Sequence, residues 1–152
     1  MLSQGDQAGL TSTVLDLPVP VLGICFGHQT IASTYGGTVE HGGNVEWGFT
    51  TLHITRDHPL IEGLDKTQTV WMSHFDTVTA LGDGFEEIGY TETDHQTAAS
   101  DDAGSGTAEG KADARTTKKR GPNAAICNDE KQRYGFQFHV EVDSTTNGEV
   151  ML

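Results

Sequence analysis

A short apolar run that leads directly into a glycine-flanked turn limits the possible folds more than any other feature of the sequence. Residues 19–24 (VPVLGI) are apolar and rich in β-branched side chains, which is typical of a buried strand in a parallel sheet. Residues 25–32 (CFGHQTIA) indicate a turn into a helix, and Gly36 and Gly37 suit the end of that helix. A strand, a turn and a helix make half of a βαβ unit, so the segment predicts an α/β fold.

Cys25 is the first candidate catalytic residue, because it lies where the predicted strand turns into the predicted helix. The small residues on either side, Gly23 and Gly27, allow the sharp turn that lifts a nucleophile above a sheet. A helix N-terminus stabilises a thiolate, and the N–H of Phe26 is placed to donate to an oxyanion. The alternative is that Cys25 is a small buried core residue, the usual role of a single cysteine. The G-x-C-x-G pattern at this turn favours the nucleophile.

A histidine and a glutamate two residues apart form the second candidate. Residues 134–142 (YGFQFHVEV) predict a strand, in which His139 and Glu141 point to the same face. A carboxylate on one ring nitrogen sets the tautomer and leaves the other nitrogen to take a proton from a thiol. By itself an H-x-E pair is weak, and an exposed strand histidine beside an acidic neighbour is the alternative. Together with Cys25, the pair supplies a nucleophile, a base and an orienting acid.

Four further short segments have the composition of strands, and one long segment does not. The strands are predicted at residues 49–54, 69–73, 87–90 and 124–127. Residues 100–123 have no large apolar side chain and predict a disordered surface insertion. Its basic cluster, Lys118 to Arg120, is either part of a solvated loop or a contact for an acidic partner. With 152 residues, the whole chain is predicted to form a single domain.

The composition of the chain argues against two classes of partner and against a metal. A formal net charge of −13 repels nucleic acid phosphates and anionic membranes, and it indicates either a solubility device or a high-salt cytoplasm. No apolar run reaches the roughly 18–20 residues that cross a bilayer, and no signal-peptide pattern is seen. We therefore expect a cytoplasmic protein with Cys25 and Cys127 as free thiols. The 7 histidines show no H-x-x-x-H spacing, so no metal site is predicted.

Three segments, in order, resemble a known family. Residues 19–32 are similar to the nucleophile motif of class I (triad) glutamine amidotransferases. Residues 136–142 (FQFHVEV) resemble that family's closing strand with its catalytic histidine and glutamate, and residues 70–78 (VWMSHFDTV) resemble its GMP synthase branch. The parts of the chain that the resemblance covers are residues 18–99 and 124–150. It implies a doubly wound, flavodoxin-like α/β fold with a mostly parallel sheet flanked by helices.

The resemblance also implies an activity and the roles of the site residues. The family hydrolyses glutamine to glutamate and ammonia: Cys25 forms a thioester, His139 acts as base and then as acid, and Glu141 orients His139. The residues implied to contact glutamine are Phe26, Gln29, Ser73, His74 and Phe75. The ammonia passes to an ATP-pyrophosphatase synthetase, a separate subunit or a further domain, that aminates xanthosine 5′-phosphate (XMP) to GMP. No cofactor is implied for this domain, since ATP and Mg²⁺ are used by that GMP synthetase partner.

The sequence departs from the family pattern at its two ends and beside His139. Only 24 residues precede Cys25, and none resembles the glycine-rich loop that supplies the family's second oxyanion N–H, so we expect an N-terminally truncated domain. Val140 stands where the family has proline, and the chain reaches Leu152 before the family's closing segment. The alternative to an active glutaminase is an inactive amidotransferase-like fragment or regulatory partner. A related cysteine hydrolase acting on another amide is a third reading, against which residues 72–76 (MSHFD) argue.

Overall fold

A six-stranded mixed sheet with short helices makes up the part of the chain that the structure describes. The computed structural model describes residues 13–95 and 117–152. The strands are β1 (Val21–Ile24), β2 (Thr38–Ile54), β3 (Thr67–Ala80), β4 (Glu86–His95), β5 (Thr117–Asn128) and β6 (Arg133–Phe136). The helices are α1 (Phe26–Thr34) and α2 (Gly148–Met151), with a 3₁₀ helix at Pro59–Ile61. Within these residues, no helix has the length and apolar character needed to cross a membrane.

The strands follow the order β1-β6-β5-β4-β2-β3 across the sheet. The α/β class is confirmed, because β1 turns directly into α1 at the predicted position. Among the described strands, β1 and β6 run parallel and the other neighbours run antiparallel. This pairing is less parallel than expected for a physical reason. Residues 55–66 and 129–132 each join two neighbouring strands, and a short connection forces neighbours to run antiparallel.

Most predicted strand segments are confirmed, but the last one is shorter than predicted. The segments that lie within β2, β3, β4 and β5 are residues 49–54, 69–73, 87–90 and 124–127. The prediction of a strand over residues 134–142 is wrong beyond Phe136, where β6 ends. There the chain crosses toward β3, because the N–H of His139 donates to the carbonyl of Trp71 at 3.0 Å. His139 and Glu141 therefore lie in a bridging segment and not in a strand.

The predicted disordered insertion, residues 100–123, is wrong in its last part. From Thr117 onward the chain forms β5, which pairs with β4. The basic cluster faces acidic residues on β4, and Arg120 pairs with Glu87 at 2.5 Å. Opposite charges across two strands stabilise a pairing that the sequence of β5 alone does not indicate. The rest of the predicted insertion, residues 100–116, lies outside the described residues.

Helix α1 packs close to the sheet because two strand positions are glycine. An added Cβ at Gly23 would lie 2.4 Å from the carbonyl carbon of Gly27, and one at Gly135 would lie 2.4 Å from Nδ1 of His28. Both distances are far below van der Waals contact, so neither position accepts a larger residue unless α1 moves. The close approach brings the first turn of α1 to the C-terminal end of β1, where the candidate nucleophile lies.

His28 is buried between α1 and the sheet. Its side chain is fully buried, and neither ring nitrogen makes a well-aligned hydrogen bond within the described part of the chain. Burial disfavours the imidazolium and lowers the pKa of His28 from 6.5 to about 3. The backbone at Gly135 opposes this effect, and the charge of His74 adds to it. His28 is therefore neutral at physiological pH in the folded chain.

We expect acid to destabilise the fold through His28. The unfolded histidine takes up a proton near pH 6.5 and the folded one only near pH 3, so the free energy of unfolding falls as the pH drops below 6.5. Between pH 7.5 and pH 5.0 this group alone should cost about 2 kcal/mol. Urea unfolding of the wild type and His28→Leu at both pH values isolates the effect, because the carboxylates titrate alike in the two proteins. Equal losses of stability in both would contradict the assignment.

Candidate active site

Cys25 lies in the turn between β1 and α1, in a backbone conformation that few non-glycine residues adopt. Its φ is 51° and its ψ is −106°, a region that is strained for a residue with a side chain. The turn is held on both sides. The N–H of Cys25 donates to the carbonyl of Phe136 (2.8 Å), and the N–H of Gln29 donates to the carbonyl of Cys25 (3.2 Å). A sharp turn of this kind presents the thiol at the N-terminus of the helix.

The thiol of Cys25 is half-buried and contacts two polar groups. Sγ lies 3.7 Å from the carbonyl oxygen of Ser73 and 3.9 Å from Nε2 of Gln137. Burial raises the pKa of the thiol above its usual value, the N–H of Phe26 opposes that rise, and the negative charge of Glu141 adds to it. The neutral thiol is therefore favoured in this environment, and its ionisation needs a nearby base.

His139 and Glu141 form a direct pair just beyond β6. Nδ1 of His139 lies 2.5 Å from Oε1 of Glu141. Partial burial works against the carboxylate, but the hydrogen bond from His139 outweighs it and holds the pKa of Glu141 below its usual value. Val140, between them, is buried in the core, which turns its two neighbours away from the interior. Because Nδ1 is bonded to Glu141, Nε2 is the ring nitrogen that can exchange a proton.

The outer edge of β3 holds Cys25 and His139 at neighbouring positions. The carbonyl of Trp71 accepts the N–H of His139 (3.0 Å), and the carbonyl of Ser73 contacts the Cys25 thiol (3.7 Å). Carbonyls two residues apart on a strand point the same way and lie about 7 Å apart. Thr145 strengthens the link, since its hydroxyl accepts the N–H of Trp71 (3.1 Å) and donates to the carbonyl of His139. The predicted catalytic residues therefore meet at one edge of the sheet.

The predicted glutamine contacts fall into an accessible group and a buried group. Phe26 and Phe75 are 64% and 59% exposed. Phe26 follows Cys25 at the start of α1, and Phe75 lies two residues beyond Ser73 on β3, so Ser73 and Phe75 share one face of that strand. These three residues are accessible to a ligand beside the thiol, and their contact with glutamine stays a prediction.

Gln29 and His74, in contrast, are buried and bonded within the protein. Nε2 of Gln29 donates to the carbonyl of Asp76 (2.9 Å) and to Oε1 of Gln137 (3.2 Å). Nε2 of His74 contacts the carboxylate of Glu46 (3.0 Å), and its Nδ1 contacts the carbonyl of Asp76 (2.8 Å). A contact of either side chain with glutamine also stays a prediction, and it requires one of these bonds to be exchanged.

Sequence reasoning does not find Gln137 and Glu46, although both belong to the site. Gln137 is buried beside the Cys25 thiol, and its position two residues before His139 in the closing motif was an available signal. Glu46 is buried, and its partners lie on β3 and β4. Burial opposes its ionisation, but hydrogen bonds from His74 and from two threonines outweigh burial and lower the pKa of Glu46. No local pattern indicates such a group.

Among the described residues, His58, Cys127 and Asp129 could hold a metal ion, since a donor atom of each lies within 4.8 Å of the others. The hydrogen bonds of His58 do not suit this role. Its Nδ1 accepts the N–H of Leu60 (3.2 Å), so the ring proton is on Nε2, which faces Asp129 (3.0 Å). A metal would need the lone pair of that nitrogen. His58 instead caps the 3₁₀ helix, and the absence of a metal stays a prediction.

Comparison with known proteins gives a family match and relatives with one shared name. The family model described as glutamine amidotransferase class-I matches residues 3–105. The chain is 39% identical over 139 residues to a glutamine-hydrolysing GMP synthase of Thermobifida fusca, covering 91% of the chain and 21% of that protein. It is 34% identical over 152 residues to the protein of the same name from Symbiobacterium thermophilum, covering 99% of the chain and 24% of that protein. The chain thus spans less than a quarter of these relatives' length.

Solved structures with a similar fold carry related names. A GMP synthase subunit from Thermoplasma acidophilum aligns with a TM-score of 0.70 and 23% identity, covering 97% of this chain and 60% of that one. A glutamine amidotransferase of Thermotoga maritima aligns with a TM-score of 0.60 and 21% identity, covering 90% of this chain and 46% of that one. At these identities the likeness concerns the fold, and it agrees with the predicted α/β class.

Proposed function

Since this chain belongs to the class-I glutamine amidotransferase family, we propose that it hydrolyses glutamine to glutamate and ammonia through Cys25, His139 and Glu141. The family match over residues 3–105 supports the general activity. The observation that carries the proposal is the attachment of the Cys25 thiol and the His139–Glu141 pair to neighbouring carbonyls on one strand edge. A thiol, an imidazole and a carboxylate in this arrangement supply the nucleophile, base and orienting acid of a cysteine hydrolase.

In the proposed reaction, Nε2 of His139 takes the proton of the Cys25 thiol while the sulfur attacks the side-chain amide carbon of glutamine. The N–H of Phe26 stabilises the oxyanion of the tetrahedral intermediate. Nε2 then gives its proton to the amide nitrogen, the carbon–nitrogen bond breaks, and ammonia leaves a glutamyl thioester. His139 next activates a water that attacks the thioester, and glutamate departs as the proton returns to sulfur. Glu141 holds the tautomer of His139 and stabilises its imidazolium form.

The accessible side chains beside Cys25 suit a bound glutamine. Phe26 and Phe75 offer apolar contact for its methylene groups, and the half-buried Ser73 offers a polar contact for its α-amino or carboxylate group. Gln29 and His74 act from the interior in this proposal. Both bond to the carbonyl of the same β3 residue, so they fix the backbone of the segment that contacts glutamine.

The ammonia is proposed to serve a synthetase that aminates XMP to GMP. The support is the name of the relatives, which are glutamine-hydrolysing GMP synthases, together with the chain's match to only 21% and 24% of their length. That length leaves room for an ATP-pyrophosphatase unit, either fused to this domain or separate. The synthetase would use ATP and Mg²⁺, and the glutaminase chemistry of this domain would need no cofactor.

Ammonia release by the purified chain, alone and with an ATP-pyrophosphatase GMP synthetase, tests both parts of the proposal. We expect release from glutamine and not from asparagine, whose amide lies one methylene closer to the α-carbon. The synthetase should raise the rate and form GMP from XMP. A folded chain that releases no ammonia in either condition would support the inactive fragment or regulatory partner. Release that the synthetase leaves unchanged would keep the glutaminase and remove the GMP assignment.

A further inference from the structure

The side chain of Gln137 lies between the candidate nucleophile and the interior of the domain. It is only 3% exposed, and its amide contacts two groups. Nε2 lies 3.9 Å from Sγ of Cys25, and Oε1 accepts from Nε2 of Gln29 at 3.2 Å. A buried amide with a defined partner at each end has one preferred orientation. The group that faces the sulfur can therefore be derived from the partners.

That orientation follows from hydrogen bonds that begin at a backbone carbonyl. The carbonyl of Asp76 can only accept, so the group of Gln29 that faces it at 2.9 Å must be the NH₂. The same NH₂ lies against Gln137, which must therefore present its oxygen to Gln29. The NH₂ of Gln137 is then the group that faces the sulfur of Cys25.

The carbonyl of Asp76 is itself held by a buried pair. It contacts Nδ1 of His74 at 2.8 Å, and Nε2 of the same ring contacts the carboxylate of Glu46 at 3.0 Å. Both His74 and Glu46 are buried, at 4% and 2% exposure, so neither side chain has room to turn. The pair therefore anchors the hydrogen bonds that set the direction of the Gln137 amide.

We propose that Gln137 donates a hydrogen bond to the Cys25 sulfur and stabilises its thiolate form, with Gln29 as the positioning residue that keeps the NH₂ of Gln137 turned toward the sulfur. The N–H···S contact should shorten when the sulfur is charged, because a donor binds an anion more strongly than a neutral thiol. The bond opposes the burial of the thiol and the charge of Glu141. Only the catalytic meaning rests on the proposed function, since the ionisation of Cys25 is measurable without glutamine.

Other titratable groups also face Cys25 and have to be separated from Gln137. The charge of Glu141 disfavours the thiolate, whereas a protonated His139 favours it. The further groups on elements packed around the thiol are His28 on α1, Glu46 on β2, and His74 and Asp76 on β3. A substitution at Gln137 leaves all of these side chains present, so a shift seen in matched variants reports the amide.

The test is the pH dependence of Cys25 alkylation by iodoacetamide in the full chain, followed by mass spectrometry of the Cys25 peptide. Gln137→Met has a similar shape and no N–H donor, and it should move the midpoint upward by about one pH unit. Alkylation below the midpoint should then be about tenfold slower. Gln137→Glu keeps an oxygen for Gln29 and replaces the NH₂ by a second oxygen, so its midpoint should move further in the same direction.

The matched control is Gln68→Met. Gln68 is also buried, at 4% exposure, but it bonds to Asp65 and Asn147, so its midpoint should equal that of the wild type. If Gln137→Met does not fold, Gln137→Glu carries the test alone, because its shape is that of the native side chain. Midpoints that stay unchanged in folded Gln137 variants would overturn the proposal, as would an equal shift in Gln68→Met.

These outcomes are distinct from a failure of the proposed function. A chain without glutaminase activity still reports the ionisation of Cys25 through alkylation. An active chain whose midpoint does not depend on residue 137 keeps its proposed function and loses only the role given to Gln137. Where activity is present, a weaker thiolate should lower kcat more than it raises KM, because the bond is made to the reacting sulfur and not to the substrate.

Discussion

Replacing Cys25 with alanine should lower the turnover of glutamine by about 10⁴-fold or more. Every step of the proposed reaction passes through a covalent bond to Sγ, so a methyl group in its place leaves no route to the thioester. The fold should remain, since the side chain is half-buried and its polar contacts are long, at 3.7 Å and 3.9 Å. Ammonia release at saturating glutamine measures the loss, and circular dichroism checks the fold.

Cys127→Ala is the matched control for this experiment. It removes the other thiol of the chain, which is buried in the core at 2% exposure, and it should retain the activity of the wild type. A glutamine analogue with an electrophilic carbon in place of the amide should label the wild type and Cys127→Ala once per chain, and should not label Cys25→Ala. Ammonia release that survives in Cys25→Ala would remove the thioester mechanism.

The nucleophile turn could be predicted from the sequence because its causes are local. Gly23 and Gly27 make room for the close contact between β1 and α1. The residue between a short strand and a helix has few conformations to choose from, and Cys25 adopts a positive φ there. A strand, a turn and a helix that are continuous in the chain need no distant partner to be recognised.

The end of β6 and the start of β5 could not be predicted, because both depend on distant partners. Residues 134–142 alternate as a strand does, but alternation does not say which neighbour takes the backbone hydrogen bonds. Beyond Phe136 that neighbour is β3, through the carbonyl of Trp71. The first residues of β5 carry no large apolar side chain, and ion pairs such as Arg120–Glu87 join them to β4.

The interior of the candidate site was hidden for the same reason. Glu46 receives its hydrogen bonds from His74, Thr91 and Thr93, which lie 28, 45 and 47 residues further along the chain. An acidic residue in a polar, glycine-rich stretch predicts an exposed position, and only the folded arrangement of three strands makes it a buried anchor. Sequence patterns report which residues face the core, but they do not report which polar groups meet inside it.

Replacing Glu46 with alanine should lower the free energy of unfolding by about 3–5 kcal/mol. The carboxylate is 2% exposed and accepts from Nε2 of His74 (3.0 Å) and from the hydroxyls of Thr91 (2.9 Å) and Thr93 (2.6 Å). Its removal leaves these donors buried without an acceptor and opens a cavity between the strands. A domain of ordinary stability, about 5–15 kcal/mol, would lose a large part of its margin.

Glu40→Ala is the matched control for this loss, because Glu40 lies on the same strand but is exposed, and surface substitutions usually stay within about 0.5 kcal/mol. Urea unfolding at pH 7.5 compares the variants with the wild type. The pKa of Glu46 in the folded chain lies below 4.5, so on acidification the unfolded chain takes up this proton first. The gap between the wild type and Glu46→Ala should therefore narrow below pH 4.5. If Glu46→Ala lost no more stability than Glu40→Ala, the carboxylate would not anchor His74, and backbone contacts alone would have to hold the hydrogen bonds that reach Cys25.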